Sequence, residues 1–386
     1  MGLFDLESET LVIVDGKNSV FRNHYGHQGL KTSTGESTSV LYGFLQGLLT
    51  LEKHFSGSPI VVVWDGEGAT WRHRVLRDDI KVEKVGTREP EKLGWMDRQV
   101  QQSIDFLSRT TPEPLRKEQP KSPVVGYKAT RAPKTEKVRL ERQVALEQIP
   151  ELIWALEKLG MRNFKVRGLE GDDLIGILAS AALDRKMFKK VVIHSSDTDF
   201  YQLINDDVQI FKGVEKGSGK PIWVTESMVM NKYGIRLKDW VKYRAITGDK
   251  SDNIPGFLPG VGPKTAKEWL MKGCDPSAKH FGDLPYLVRK DMETWKVPKL
   301  GMVNWESLWP RLRRNYLCSQ ILRDGFTDML DTQVKERLDG TLQQLSKKNF
   351  LRVKKDESEK REFVEWLVKK EMPTLWERRE QFQKLV

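Results

Sequence analysis

Leu11-Val12-Ile13-Val14-Asp15-Gly16 and Ile60-Val61-Val62-Val63-Trp64-Asp65-Gly66 carry one message twice: a short apolar, β-branched run that ends on aspartate and glycine. Runs of this kind, without polar alternation, are expected of strands buried on both faces of a sheet. Between them, Ser37 or Thr38 stands where a helix cap is expected, ahead of Leu41, Phe44, Leu45, Leu48 and Leu49 at helical spacing. The three pieces make a β-α-β unit. The pattern recurs with a strand over Asn163 to Arg167, a helix over Asp172 to Leu183 and a strand over Lys190 to His194. The predicted fold class is therefore α/β, with a central, mostly parallel sheet and flanking helices.

In such sheets, sites form where strands end at their carboxyl edge. Nine carboxylates fall at or beyond such ends: Asp15, Asp65, Glu170, Asp172, Asp173, Asp197, Asp199, Asp249 and Asp252. Carboxylates converging on one cleft raise each other's pKa unless cations neutralise them. Hard oxygen ligands select Mg²⁺ or Mn²⁺. Asp172 and Asp173 also read as ordinary helix-start residues, favoured there by the dipole. The Asp197-Thr198-Asp199 pair would point two ligands the same way if the chain stays extended, although a lone pair of this kind is more often a turn.

Composition sets the outer limits. The chain has 386 residues, 38% hydrophobic and 31% charged, enough for one large or two moderate domains. A formal charge of +11, spread along the chain, suits a polyanionic partner, with nucleic acid first. Two cysteines, Cys274 and Cys318, exclude a disulfide framework and a four-thiolate zinc site. No apolar run is long enough to span a bilayer, and the acidic start, with Asp5, Glu7 and Glu9, does not read as a signal peptide. Met1-Gly2 lacks the Ser or Thr at position 6 of a myristoylation signal. A cytoplasmic protein with no membrane partner is expected.

From Asp78 to Gly126 the texture shifts to an insertion or linker with Pro112, Pro114, Pro120 and Pro123. Tyr127 to Gln143 is strongly basic and reads as the start of a basic helix or arch. After Trp223 the strands stop, and short helices are expected over Met228 to Tyr233, Leu237 to Thr247 and Lys264 to Met271. Gly260-Val261-Gly262-Pro263-Lys264-Thr265 precedes the last of these, a glycine turn leading into a helix N-terminus, suited to a backbone phosphate. It also reads as an ordinary helical hairpin. Three regions result: a core over 1–235 with an insertion and arch at about 78–143, a helix-hairpin-helix subdomain over 236–320, and a helical tail over 321–386 to which no chemistry is assigned.

In order, Asp15-Gly16, Trp64-Asp65-Gly66, Tyr127-Lys128-Ala129-Thr130-Arg131, Glu170-Gly171-Asp172-Asp173, Ser196-Asp197-Thr198-Asp199, Asn231-Lys232-Tyr233-Gly234 and Gly248-Asp249-Lys250-Ser251-Asp252-Asn253-Ile254-Pro255-Gly256 resemble the motifs of the 5′-nuclease family. That family includes flap endonucleases, the exonuclease domain of bacterial DNA polymerase I and stand-alone bacteriophage exonucleases. The resemblance covers roughly residues 10 to 270. It implies a PIN-like core and divalent-metal hydrolysis of phosphodiesters near 5′ ends of DNA, at flaps, nicks or ends, with RNA primers and RNA-DNA hybrids as further substrates.

It further implies that Asp15, Asp65, Glu170 and Asp172 serve mainly one metal, and Asp173, Asp197, Asp199, Asp249 and Asp252 mainly the other. Lys128 and Arg131 match the basic pair that contacts the scissile phosphate, Tyr127 a residue that stacks on a terminal base, and Arg22 an arginine near the site. Gly260, Val261, Gly262, Lys264 and Thr265 fall in the hairpin that grips duplex DNA, where some members hold K⁺. Compact members join the Asp65 and Tyr127 motifs more closely, so an enlarged or decorated arch is expected here. No polymerase sequence follows, so a stand-alone, monomeric nuclease is expected, working beside replication proteins, in the host cytoplasm or nucleoid if phage-encoded. A PIN-like ribonuclease and a non-catalytic structure-specific DNA-binding protein are the alternatives, the first weakened by the hairpin and the second by the intact carboxylates.

Overall fold

The computed structural model describes residues 9–76, 135–252, 254–258, 260–294, 305–323, 328, 330–343, 345–351 and 353–384. Tyr127, Lys128 and Arg131, and the insertion before them, lie outside the described residues.

Six strands form one sheet: β1 (Thr10–Asp15), β2 (Ile60–Val63), β3 (Arg162–Phe164), β4 (Lys190–His194), β5 (Val208–Val214) and β6 (Pro221–Trp223). Their spatial order is β3-β2-β1-β4-β5-β6. The first five are parallel, in register from Val12 opposite Ile60 and Val192. β6 runs antiparallel along the edge, with an irregularity between Phe211 and Gly213. This edge pair is absent from the sequence reading, because Val208–Val214 mixes polar with apolar residues and Pro221–Trp223 is only three residues long.

Alternation along the strands builds two cores. Leu11, Ile13, Val61, Val63, Val191 and Ile193 face the Gly171–Asp184 helix and the helices beyond residue 226. Val12, Val14, Ile60, Val62 and Val192 face the Ser39–His54 and Ile149–Lys158 helices. The five apolar residues expected in the Ser39–His54 helix are buried there. Its start differs from expectation: Thr38 sits at the cap position without a capping hydrogen bond, and Gln148 Oε1 instead accepts from Val40 N at 3.0 Å. Two further differences are small. The predicted strand over Asn163 to Arg167 spans Arg162–Phe164, and the helix of the basic segment spans Glu136–Glu147, with Ala145 its buried residue.

The tail joins both cores. Phe363, Trp366 and Leu367 pack under the Ile149–Lys158 helix, where Trp366 donates to Glu151 Oε1 at 2.8 Å. Val334, Leu338 and Leu342 join the other core. Among the described residues, no helix is long and apolar enough to cross a membrane.

Candidate metal centre

The Asp-Gly pairs are dictated by close packing at the strand ends. A Cβ on Gly16 would lie 2.6 Å from the Trp64 ring, and one on Gly66 would lie 1.8 Å from the Val166 carbonyl oxygen. Only glycine lets the chain turn there, immediately after Asp15 and Asp65. Asp15 caps the Gly16–Gly26 helix, accepting from Asn18 N at 3.0 Å, and its other oxygen accepts from Ser195 Oγ at 2.9 Å. Burial pushes its carboxyl up to about 6, and repulsion from Asp197 and Asp65 acts in the same direction.

Asp65 Oδ1 accepts from Gly171 N at 2.9 Å and its other oxygen from Lys17 Nζ. Glu170 accepts from Thr70 Oγ1 at 3.1 Å and from Arg72 at 3.2 Å. Asp173 is fully enclosed, and its two oxygens accept from Arg72 at 2.7 and 2.9 Å, Trp71 Nε1 at 2.8 Å and Leu322 N at 3.0 Å. Arg72 also donates to the carbonyls of Cys318 and Gln320. One buried guanidinium therefore ties two carboxylates of the core to the end of the Trp305–Cys318 helix. Both cysteines are buried, with thiols pushed up to about 12 by that burial.

The second group is arranged differently. Asp199, Asp249 and Asp252 bring one oxygen each within 4.8 Å of one another, close enough to share a cation. Asp172 lines the same cleft, with Arg244, Ile254 and Ser319. Arg244 pairs with Asp199 at 3.3 Å and with Asp249. Burial pushes the Asp199 carboxyl up to about 7, and Asp197 adds repulsion that Arg244 partly offsets. The Asp197–Asp199 segment is not extended. Asp199 opens a short 3-10 helix, Asp199–Leu203, and donates its N–H to Asp197 Oδ1 at 3.0 Å, the side-chain turn to which aspartate is prone.

Asp249 reaches this cleft from the other side of the chain. Its backbone pairs in both directions with Ile254 at 2.8 Å, pinching the 249–254 loop shut. Asn315 Nδ2 holds that loop and the preceding helix together, donating to the carbonyls of Ala245 and Pro255 at 3.1 and 2.7 Å.

Arg22 donates to the Lys212 carbonyl at 2.9 Å and to His194 Nε2. In the hairpin, Gly260 takes a positive φ of 84° and Gly262 precedes the Pro263–Met271 helix without a side-chain cap. Lys264 is exposed, whereas Thr265 is buried. That helix packs on Trp240–Thr247, the helix that carries Arg244.

Lys17, Arg72, Arg244, His194 and Ser195 were not singled out from sequence. Most of their carboxylate or cationic partners lie far along the chain, 98 residues apart for Arg72 and Glu170, where no local pattern announces such pairs; Arg244 is the exception, five residues from Asp249.

The donor set fits hard divalent cations: carboxylate oxygens, three of them converging, with repulsion that a cation would relieve. Residues 10–93 and 98–234 match the 5′-3′ exonuclease N-terminal resolvase-like domain. The chain is 32% identical over 268 residues to the thermostable DNA polymerase I of Thermus aquaticus, across 69% of this chain and 24% of that one. It is 28% identical over 302 residues to a 5′-3′ exonuclease of Aquifex aeolicus, across 76% of this chain and 82% of that one. The chain thus spans about a quarter of the polymerase relatives it matches. Among solved structures, T5 5′-exonuclease with bound zinc superposes with a TM-score of 0.52 at 16% identity, across 86% of this chain and 98% of that one, which shows a shared fold.

Proposed function

The chain belongs to the family of the 5′-3′ exonuclease N-terminal resolvase-like domain, and from that membership we propose that it hydrolyses phosphodiesters near the 5′ ends of DNA, at flaps, nicks and ends. The observation that carries the proposal is the meeting of Asp199 with Asp249 and Asp252 of a loop distant in sequence, beside Asp172 at the carboxyl edge that also bears Asp15 and Asp65.

Two or more Mg²⁺ or Mn²⁺ ions would supply an activated water and stabilise charge on the entering and leaving oxygens. The residues divide the remaining work. Asp15, Asp65 and Asp172 would hold one ion, and Asp197, Asp199, Asp249 and Asp252 the other, while Glu170, paired with Thr70 and Arg72, would support the first group from behind. Asp173, with every strong acceptor direction taken by Arg72, Trp71 and Leu322, acts by positioning the helix that bears Asp172. Arg22, Lys128 and Arg131 receive the phosphate, where arginine offers a two-pronged contact and lysine a mobile charge. Tyr127 stacks on a terminal base. Gly260, Val261, Gly262, Lys264 and Thr265 seat the duplex backbone through N–H groups and helix dipole, with K⁺ as an accessory at the hairpin. The protein works as a monomer in the cytoplasm, alongside replication proteins, on flaps and RNA primers.

The test is digestion of a 5′-flapped duplex labelled at either end, with Mg²⁺ or with chelator, using Asp197→Asn as control. Mg²⁺-dependent cutting near the junction, lost in the variant, is expected. Tight binding without cutting would replace the proposal with a structure-specific binding protein, and cutting of single-stranded RNA alone would replace it with a ribonuclease.

A further inference from the structure

Among the described residues, three cations at the carboxyl edge are paired with its carboxylates: Lys17 with Asp65, Arg72 with Glu170 and Asp173, and Arg244 with Asp199 and Asp249. Arg22 is held in another way. Its described partners are the Lys212 carbonyl and the Nε2 of His194, the last residue of β4. The His194 Nδ1 lies 2.9 Å from the Phe211 carbonyl oxygen, which can only accept. Nδ1 therefore carries the ring proton, and Nε2 offers its lone pair to Arg22. This tautomer is neutral.

We infer that His194 is a positioning residue for Arg22, fixing the guanidinium through an uncharged acceptor so that its full charge is left for a substrate phosphate. A carboxylate at the same place would hold Arg22 equally well but neutralise it, and a phosphate would then have to displace an ion pair. The surroundings favour the neutral ring. His194 is 4% exposed and packs against Phe211, and burial together with the Arg22 charge pushes its pKa down to about 3. Asp15 attracts Arg22 electrostatically, and the hydrogen bonds to Lys212 and His194 hold the arginine against that pull. The inference rests on the proposed role of Arg22 in phosphate binding.

The experiment compares His194→Gln with His194→Glu, side chains of equal reach that differ in charge, alongside Arg22→Ala and the double variant Arg22→Ala/His194→Glu. Single-turnover cleavage of a 5′-flapped duplex in Mg²⁺ and duplex affinity in chelator are read together, with melting temperature as a check on folding. His194→Gln is expected within about threefold of the parent rate, and His194→Glu about tenfold or more below it, since a hydrogen bond to a charged group is worth that much. The double variant should be no slower than Arg22→Ala. A packing role alone predicts equal rates for Gln and Glu, and that result would overturn the inference while leaving Arg22 its role. An Arg22→Ala variant at the parent rate would instead remove the phosphate role itself. Should His194→Glu not fold, His194→Leu decides: a rate as low as that of Arg22→Ala supports the inference, and an unchanged rate overturns it.

Discussion

The two halves of the acidic site handle the same electrostatic problem in opposite ways. Asp173 and Glu170 are buried, and the protein answers their charge internally with Arg72, Trp71, Thr70 and a backbone N–H. Asp199, Asp249 and Asp252 are brought within sharing distance of one another, with Arg244 bridging two of them. Buried charge answered by internal donors supports a fold, whereas carboxylates that converge on one another repel unless a cation arrives from solution. The first half is scaffold, and the second is the cation's seat.

The largest effect that would break this contrast is on turnover. Asp199→Asn is expected to lower cleavage by more than about 100-fold, beyond the range typical of residues that merely support a metal ligand. Single-turnover rates across a Mg²⁺ titration check it, and a rate within tenfold of the parent would mean that the converging trio is not the seat. Stability should respond in the other half. Arg72→Met leaves two buried carboxylates without their cation and is expected to cost about 3–5 kcal/mol in denaturant unfolding, the usual penalty for breaking a buried pair from one side. A loss below about 1 kcal/mol, the level of exposed pairs, would erase the distinction between scaffold and seat.

Much of this was readable in advance, and the reason is physical. Leu11 to Val14 and Lys190 to His194 can hardly be anything but buried strands, and carboxylates placed at their ends announce a site whatever the rest of the chain does. What stayed hidden depends on partners distant in sequence. Asp173 looks like its neighbour Asp172 until Arg72 and Leu322 close around it, and nothing near Arg72 predicts that meeting. The Asp197–Asp199 pair needed one further step of local reasoning, since aspartate so readily accepts from the N–H two residues on. The tail was legible in part: Phe363, Trp366 and Leu367 have helical spacing, but which core they join is a tertiary fact.

A third prediction concerns pH. The carboxyls of Asp15 and Asp199 are raised from 3.8 to about 6 and about 7, so the folded protein keeps protons that the unfolded chain has released. Stability in chelator is then highest below pH 4 as far as these groups are concerned, and is lost as pH rises through 6 and 7. Mg²⁺ binding removes the repulsion, so the rise in melting temperature on adding Mg²⁺ should be larger at pH 8 than at pH 5. In chelator at pH 8, Asp199→Asn should melt above the parent, the reverse of Arg72→Met. An equal Mg²⁺ increment at both pH values would show that these carboxylates are not the groups the cation engages.

The smallest expected effect draws the boundary between the halves. Lys17 and Asp65 pair across the mouth of the site, with side chains 39% and 31% exposed, and exposed pairs of that kind contribute at most about 1 kcal/mol. Lys17→Met is therefore expected to leave unfolding within that margin of the parent, unlike Arg72→Met. Removing its charge leaves Asp65 with the Gly171 N–H as its remaining described donor, which strengthens the local attraction for cations. The Mg²⁺ concentration for half-maximal cleavage should fall. If stability drops as far as in Arg72→Met, Asp65 belongs to the scaffold with Glu170 and Asp173. If half-saturation rises instead, Lys17 serves the site directly, and its pairing with Asp65 is a resting contact that substrate displaces.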